Sequence, residues 1–206
     1  MPKAGRPTAT RVEAINRAIL DAARQHFLGS GFDATGMEAI AATAGVSKGT
    51  LYARYPSKEA LLRAVVEEQC AIWTREAGQR HGPPAGDFKQ RLRHRARALI
   101  ESIASEEIRG FEKLVGGSSL PTGEVARALF AAGYQPAINE LTAEIIAGTL
   151  KQPVPPRNPA RVAEMLLGTL FSWYRAHEIV REVSIEEARN YCDHAVEVIF
   201  AGRSAW

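Results

Sequence analysis

The sequence predicts an all-α protein of about nine helices, with a three-helix N-terminal domain followed by a larger helical domain. Apolar side chains recur at the spacing of one helix face, from Ile15 in the first predicted helix to Ile199 in the last. Three segments rich in Gly and Pro, at 81–87, 116–123 and 152–159, separate these amphipathic stretches and are typical of loops. At 206 residues the chain is long enough to bury a core in one or two domains.

The N-terminal domain contains a segment that predicts two short helices joined by a tight turn, TGMEAIAATAGVSKGTLYARYPSK at 35–58. Thr35 and Glu38 have the spacing of a capping box, so the first short helix should begin at Gly36 or Met37. Gly45 can adopt a positive φ and end that helix, and Ser47 is a good N-cap for the next. Pro56 then ends the second short helix. This is the pattern of a helix-turn-helix.

The second short helix carries groups that suit DNA. Lys48 offers a charge to phosphate, Gly49 allows a close backbone approach, and Thr50 can contact a phosphate or a thymine methyl group. The full set of residues expected at DNA is Thr35, Ser47, Lys48, Gly49, Thr50, Tyr52, Arg54, Tyr55 and Lys58. The alternative is a small packed helical hairpin without a ligand.

A longer stretch around this motif resembles the tetracycline-repressor (TetR) family of bacterial regulators. The segment GVSKGTLYARYPSKEALL resembles the family's recognition helix and following turn, and AILDAARQHFLGSGFDATGMEAIA extends the resemblance upstream, over roughly 10–65. The sequence departs from the family pattern at Ala53 and Arg54, where an aromatic residue and a histidine are common. The resemblance implies an all-helical homodimer with an N-terminal DNA-binding domain and a C-terminal effector-binding and dimerisation domain.

We therefore divide the chain into a basic arm at 1–9, a helix-turn-helix domain at 10–56 and an effector-binding and dimerisation domain at 57–206. Within the last domain, a helix at 57–80 should link the two halves. Residues 1–63 have a net charge of +4 and the remainder −1, so the positive charge lies with the motif that suits DNA. The arm is either a solvated tail or a segment that reaches DNA phosphates or the minor groove.

The last two predicted helices have wide apolar faces that match the pair forming the dimer interface in the family. The residues expected there are Val162, Leu166, Thr169, Cys192, Val196 and Ile199. The alternative is an ordinary core within one chain.

Large apolar and amphipathic side chains in the C-terminal half suggest a cavity for a small, largely apolar effector. The candidate lining is Trp73, Phe111, Phe130, Tyr134, Met165, Trp173 and His177, with Tyr134 and His177 as polar contacts. Any one of these residues could instead be plain core. The basic helix at 88–105 is expected to be solvated and ion-paired, or else to face an acidic effector or the DNA-binding half.

The sequence offers little for catalysis, because neither a His-Glu-x-x-His motif nor a nucleophile elbow occurs in it. Cys70 and Cys192 lack metal-ligand spacing, and no apolar run is long enough for a membrane span. We expect no enzyme activity, metal or cofactor, a cytoplasmic location and no membrane partner. The predicted function is a dimeric, ligand-responsive regulator that represses by binding a palindromic double-stranded operator. The alternative is a helical small-molecule-binding protein or enzyme that only contains a helix-turn-helix.

Overall fold

A computed structural model describes residues 9–116, 123–150 and 156–203, and in these ranges the chain is helical without a β-strand. The predicted arm at 1–9 lies outside the described residues except for Ala9, the first residue of the first helix. The helices are α1 (Ala9–Ser30), α2 (Met37–Thr43), α3 (Lys48–Arg54), α4 (Lys58–His81), α5 (Phe88–Ile103), α6 (Glu106–Gly116), α7 (Glu124–Leu129), α8 (Gln135–Thr149), α9 (Pro159–Glu178) and α10 (Ile185–Ala201).

A π-helical segment, Phe130–Tyr134, joins α7 to α8 without a break, so the described residues form nine continuous helical stretches. In the sequence, Pro136 predicts a kink or an interruption of this helix near Tyr134, and the π-helical segment confirms the interruption. Its cause is Pro136 in the first turn of α8, because proline has no backbone N–H to donate to the preceding turn. The wider π turn accommodates the loss of this backbone hydrogen bond.

The chain forms two compact units. Unit 1 comprises residues 1–69 and 110–129, and unit 2 comprises residues 70–109 and 130–206. The chain passes from one unit to the other within α4, between Gln69 and Cys70, and within α6, between Arg109 and Gly110. Each unit has its own apolar core.

Unit 1 is built around the fully buried side chains of Ile19, Phe27 and Ile40, with Leu51 of α3 anchored among the buried residues. The ring centres of Phe27 and Phe32 lie 5.7 Å apart, so the two rings pack together near the end of α1. Phe111 of α6 is also buried in this unit. Burying one face of each short helix is what makes α2 and α3 stable, since seven residues are too few for an isolated helix.

The core of unit 2 is formed by α5, α8, α9 and α10. It contains four of the residues that we expected at a dimer interface, Val162, Leu166, Cys192 and Val196, all of which are buried within the single chain. That expectation is wrong for these four, because an apolar face at helical spacing shows that a surface is covered but not which chain covers it. Thr169 is exposed and Ile199 is half-buried.

The basic face of α5 is ion-paired within unit 2. Lys89 and Arg93 bind Glu197, Arg93 also lies 3.7 Å from Asp193, and Arg97 binds Asp193. On another face of α5, Arg91 and Arg95 donate hydrogen bonds of 2.8 and 3.1 Å to the carboxylate of Glu144, which is buried. The prediction that this basic helix is ion-paired is therefore confirmed.

None of the helices that the structure describes is both long and apolar enough to cross a membrane.

Candidate DNA-binding surface

The turn between α2 and α3 is short and fixed by backbone hydrogen bonds. Gly45 has φ of +65°, a left-handed conformation that other residues rarely adopt, so it reverses the chain directly after α2. The amide of Val46 then donates to Ala41 O at 3.0 Å. As a result only four residues separate the end of α2 from the start of α3, the arrangement of a helix-turn-helix.

The start of α3 is capped as the sequence predicts. Ser47 Oγ accepts a 3.1 Å hydrogen bond from the amide of Thr50, and the two hydroxyl groups lie 2.9 Å apart. Leu51 is fully buried and fixes the helix on unit 1. The opposite face, with Ser47, Lys48, Gly49 and Tyr52, is exposed, and Tyr52 retains 43% of its accessible surface.

Lys48, the first residue of α3, forms an ion pair with Glu38 of α2. Lys48 Nζ lies 2.5 Å from Glu38 Oε1, and the side chains are 60% and 59% exposed. The hydrogen bond from Lys48 lowers the pKa of Glu38, and the same bond raises the pKa of Lys48. Both groups are therefore charged at neutral pH, and the ammonium group is open to solvent and to phosphate.

Thr35 is buried and its hydroxyl group bonds to the end of α1, which corrects two expectations. The N-cap of α2 is Gly36, and no side chain caps that helix. The Thr35 hydroxyl instead donates to Gly31 O at 2.7 Å and to His26 O at 3.1 Å, and the residue is only 4% exposed. The capping-box prediction is wrong, and a contact between this side chain and DNA is not compatible with its burial.

Lys58 also differs from its expected role as a donor to the DNA backbone. Its Nζ donates to the carbonyl oxygens of Phe32 at 2.8 Å, Asp33 at 3.3 Å and Thr35 at 2.9 Å. The ammonium group also lies 4.4 Å from the centre of the Phe32 ring. An ammonium group has three N–H donors, so Lys58 holds the loop after α1 and has no donor left for phosphate. This correction removes Lys58 from the candidate surface.

The C-terminal end of α3 is more enclosed than its start. Arg54 is half-buried and donates a hydrogen bond to Asn16 Oδ1 of α1. Tyr55 follows as the C-cap, and burial raises the pKa of its hydroxyl, with Glu68 adding to the effect. Arg54 is thus positioned by α1 rather than extended into solvent.

Three residues that contribute to this surface were missed in the sequence. Glu38 was assigned only to a cap, Asn16 was not singled out, and His26 lies 2.8 Å from the Thr43 hydroxyl, which links α1 to α2. Hydrophobic periodicity marks buried faces, so it gives no signal for polar pairs between helices.

The predicted effector residues are divided between the two units. Phe111 belongs to unit 1, whereas Phe130 and Met165 in unit 2 are 50% and 62% exposed. Phe130 stacks on Tyr134 at 5.2 Å. Trp173 stacks on Tyr191 with ring centres 4.2 Å apart and lies 4.7 Å from His177, while Trp73 is half-buried in unit 2.

Among the described residues, no group of three or more His, Cys, Asp or Glu side chains could hold a metal ion. Cys192 is fully buried, and burial raises the pKa of its thiol to about 12. The thiolate is the reactive form of cysteine, so this residue is unreactive at neutral pH.

The α2–turn–α3 arrangement and the exposed, cationic start of α3 are the features of a helix-turn-helix, a motif that DNA-binding proteins place in the major groove. Comparison with known proteins agrees with this class. Residues 19–65 match the family described as "Bacterial regulatory proteins, tetR family". Over 62 residues the chain is 48% identical to the HTH-type transcriptional regulator RutR of Escherichia coli (strain K12). That match spans 30% of this chain and 29% of RutR.

Two solved structures extend the likeness to nearly the whole chain. A protein from Mesorhizobium loti assigned to the TetR-family transcriptional regulators is 25% identical, with a TM-score of 0.79 over 93% of this chain and 97% of that one. The flavonoid-responsive regulator FrrA is 24% identical, with a TM-score of 0.78 over 92% and 97%. Residues 19–65 therefore match the TetR family, and the fold of nearly the whole chain is similar to that of a TetR-family regulator.

Proposed function

We propose that the protein is a dimeric, ligand-responsive transcriptional regulator that acts as a repressor on a palindromic operator. The observation that carries this proposal is the exposed start of α3, where Lys48, Gly49, Thr50 and Tyr52 follow a capped helix end anchored by Leu51. A helix presented in this way can enter the major groove with its N-terminal residues at the bases. Ser47, Arg54 and Tyr55 complete the proposed contact set. Its location would be the cytoplasm, where its DNA lies.

The proposed partner in dimerisation is a second copy of the chain, bound through the outer faces of α9 and α10. On α9 this face includes Met165, which is 62% exposed, together with Thr169 and Ala176. On α10 it includes His194 and Val198, and Val198 is 57% exposed. Exposed apolar side chains on adjacent helices are typical of a protein interface. A two-fold axis that relates the two copies also relates their two α3 helices, as a palindromic site requires.

The proposed effector is a small, largely apolar molecule that binds unit 2. Support comes from the stacked rings of Trp173 and Tyr191 with His177 beside them, because flat rings and one polar group suit an aromatic ligand. FrrA, which has the same fold, is described as flavonoid-responsive. The chain passes between the units within α4 and α6, so a shift in unit 2 can be transmitted to unit 1 along a continuous helix.

DNA binding is tested by selection. Purified full-length protein is mixed with fragmented genomic DNA in about 0.1 M salt, the bound fragments are sequenced, and the enriched site is used in mobility-shift assays. We expect an inverted repeat with half-sites about 34–36 Å apart or a multiple of that distance. Enrichment of no sequence, with equal retention of all fragments, would contradict sequence-specific regulation.

Dimerisation is tested by sedimentation equilibrium. Val198→Glu and Met165→Glu should each shift the protein to a monomer and weaken operator binding, because a carboxylate would be buried without a partner. Ile146→Glu provides the matched control, since Ile146 is 45% exposed but belongs to α8, which contributes no residue to the proposed face. A dimer that persists in both α9 and α10 variants would place the interface elsewhere.

Effector control is tested by titrating the protein–operator complex with aromatic and acyl compounds while following tryptophan fluorescence. An active compound should change fluorescence and weaken operator binding at the same concentration. A ten- to hundredfold preference for the DNA-free state, roughly 1.4–2.7 kcal/mol, is enough for partial release. If no compound changes either signal, the ligand-responsive part of the proposal fails and the DNA-binding part stands.

A further inference from the structure

Glu38 occupies a position that any DNA bound by α3 must compete for. It lies in the first turn of α2, and its carboxylate lies 2.5 Å from the ammonium group of Lys48, the first residue of α3. Both side chains are about 60% exposed, so the pair lies on the same open surface as Gly49 and Tyr52. A carboxylate oxygen here stands where a phosphate oxygen would stand in a complex.

Two consequences follow for a phosphate that approaches Lys48. It must share the ammonium group with Glu38 or displace it, and in either case it must come close to a carboxylate that carries the same sign of charge. The pair is exposed and in high dielectric, so it is weak enough to be exchanged. The exchange nevertheless reduces the net gain from the Lys48–phosphate contact.

We propose that Glu38 sets the DNA affinity of this protein by acting as an internal competitor for Lys48. The inference rests on the proposed DNA-binding function. Contacts to phosphate carry no sequence information, so Glu38 lowers the affinity for the operator and for unrelated duplexes by the same factor. Sequence preference then depends on the other groups of α3, and moderate affinity allows an effector to release the complex.

The test uses Glu38→Gln in the full-length protein, with fluorescence anisotropy on the selected operator and on an unrelated duplex of the same length. We expect the variant to bind both duplexes roughly three- to fivefold more tightly at low salt. The gain should shrink as salt rises, because the charges involved are exposed and screened. The ratio of the two affinities should not change.

Glu67→Gln is the matched control for the change in net charge. Glu67 is an exposed acid of unit 1 that lies 3.9 Å from Arg63 within α4. The substitution removes the same charge without freeing Lys48, so its affinity should stay close to that of the parent protein. In a Lys48→Ala background, Glu38→Gln should lose most of its effect, because the ammonium group for which it competes is absent.

The outcomes separate the inference from the function on which it rests. If the parent protein binds the operator and Glu38→Gln binds no more tightly, or more weakly, the competitor role is wrong and the pair instead orients Lys48. An equal gain in Glu67→Gln, or an undiminished gain without Lys48, also overturns it. If neither the parent nor the variant binds any duplex at low salt, the proposed DNA-binding function itself fails.

Discussion

Arg54, the last residue of α3, donates a hydrogen bond to Asn16 of α1, although the two residues are 38 positions apart in the sequence. The arginine is half-buried, so its guanidinium group depends on this acceptor rather than on water. Through this bond, α1 determines where the C-terminal end of the proposed reading helix lies.

Asn16→Ala should therefore lower the free energy of unfolding by roughly 1.5–3 kcal/mol, the range for a hydrogen bond to a charged group. It should also weaken operator binding, because the end of α3 loses its support. Urea unfolding and anisotropy measure the two effects. Asn139→Ala is the control, since Asn139 accepts an exposed hydrogen bond from Gln135 on α8 and should change stability by less than about 0.5 kcal/mol. Equal stability of the two variants would show that the Arg54–Asn16 bond contributes nothing.

Substitution of Lys58 should affect mainly the stability of the protein, whereas substitution of Lys48 should affect mainly its DNA binding. Lys58→Met removes a donor to three carbonyl groups and should lower the free energy of unfolding by about 1.5–3 kcal/mol. Lys48→Ala should leave the unfolding midpoint nearly unchanged and weaken DNA binding, because Lys48 is exposed. Both are measured by urea unfolding followed by anisotropy. If Lys58→Met is as stable as the parent protein but binds DNA poorly, the result would instead support the phosphate contact expected from the sequence.

These lysines show how far the sequence alone determines the site. Some local signals were reliable, since Ser47 caps α3 and Pro136 coincides with the π-helical interruption, whereas the Thr35–Glu38 spacing did not produce a cap. Lys58 was misassigned because its carbonyl partners lie more than twenty residues earlier in the chain and converge only after folding. A spacing rule can detect a helix face, but not which distant groups meet it.

The apolar faces of α9 and α10 illustrate the same limit. Their periodicity correctly indicated buried surfaces, and Val162 and Val196 are indeed buried. The covering elements are helices of the same chain, chiefly α5 and α8, whose packing no local pattern encodes. The family resemblance predicts that this pair of helices forms a dimer, and that stays a prediction; the apolar periodicity did not identify the face that is left exposed.

Gly148 of α8 should not tolerate a side chain. A Cβ at this position would overlap the ring of Phe88, the first residue of α5, and that ring also packs 5.0 Å from Phe200. Gly148→Ala should lower the free energy of unfolding by about 1–3 kcal/mol, the usual range for overpacking a core. The loss is measured by urea unfolding, and it should be smaller in a Phe88→Ala background, because the overlapping ring is gone.

Gly78→Ala is the matched control for this substitution. Gly78 lies within α4, and a Cβ there would meet no atom within 4 Å. Alanine is the better helix former, so this change should raise the free energy of unfolding by about 0.5–1 kcal/mol. Destabilisation by both substitutions would indicate a general intolerance of the helices, not the specific overlap at Phe88.

Cys192 should make the stability of the protein sensitive to alkaline pH. Burial raises the pKa of its thiol from 9.0 to about 12, so between these values the unfolded chain loses a proton that the folded chain keeps. The stabilising contribution is complete below pH 9 and is lost as pH rises toward 12. Between pH 8 and 10 the parent protein should lose about 1.4 kcal/mol more stability than Cys192→Ala. Parallel pH profiles of the two proteins would contradict this assignment.

The central claim, that the exposed start of α3 binds DNA, is tested most directly by the salt dependence of operator affinity for the parent protein and Lys48→Ala. Each lysine–phosphate contact releases counterions and contributes about 0.9 to the slope of log affinity against log salt concentration. The account predicts a slope smaller in magnitude by about one unit for Lys48→Ala, with weaker binding to the operator and to unrelated DNA alike. Identical slopes and affinities for the two proteins would contradict it.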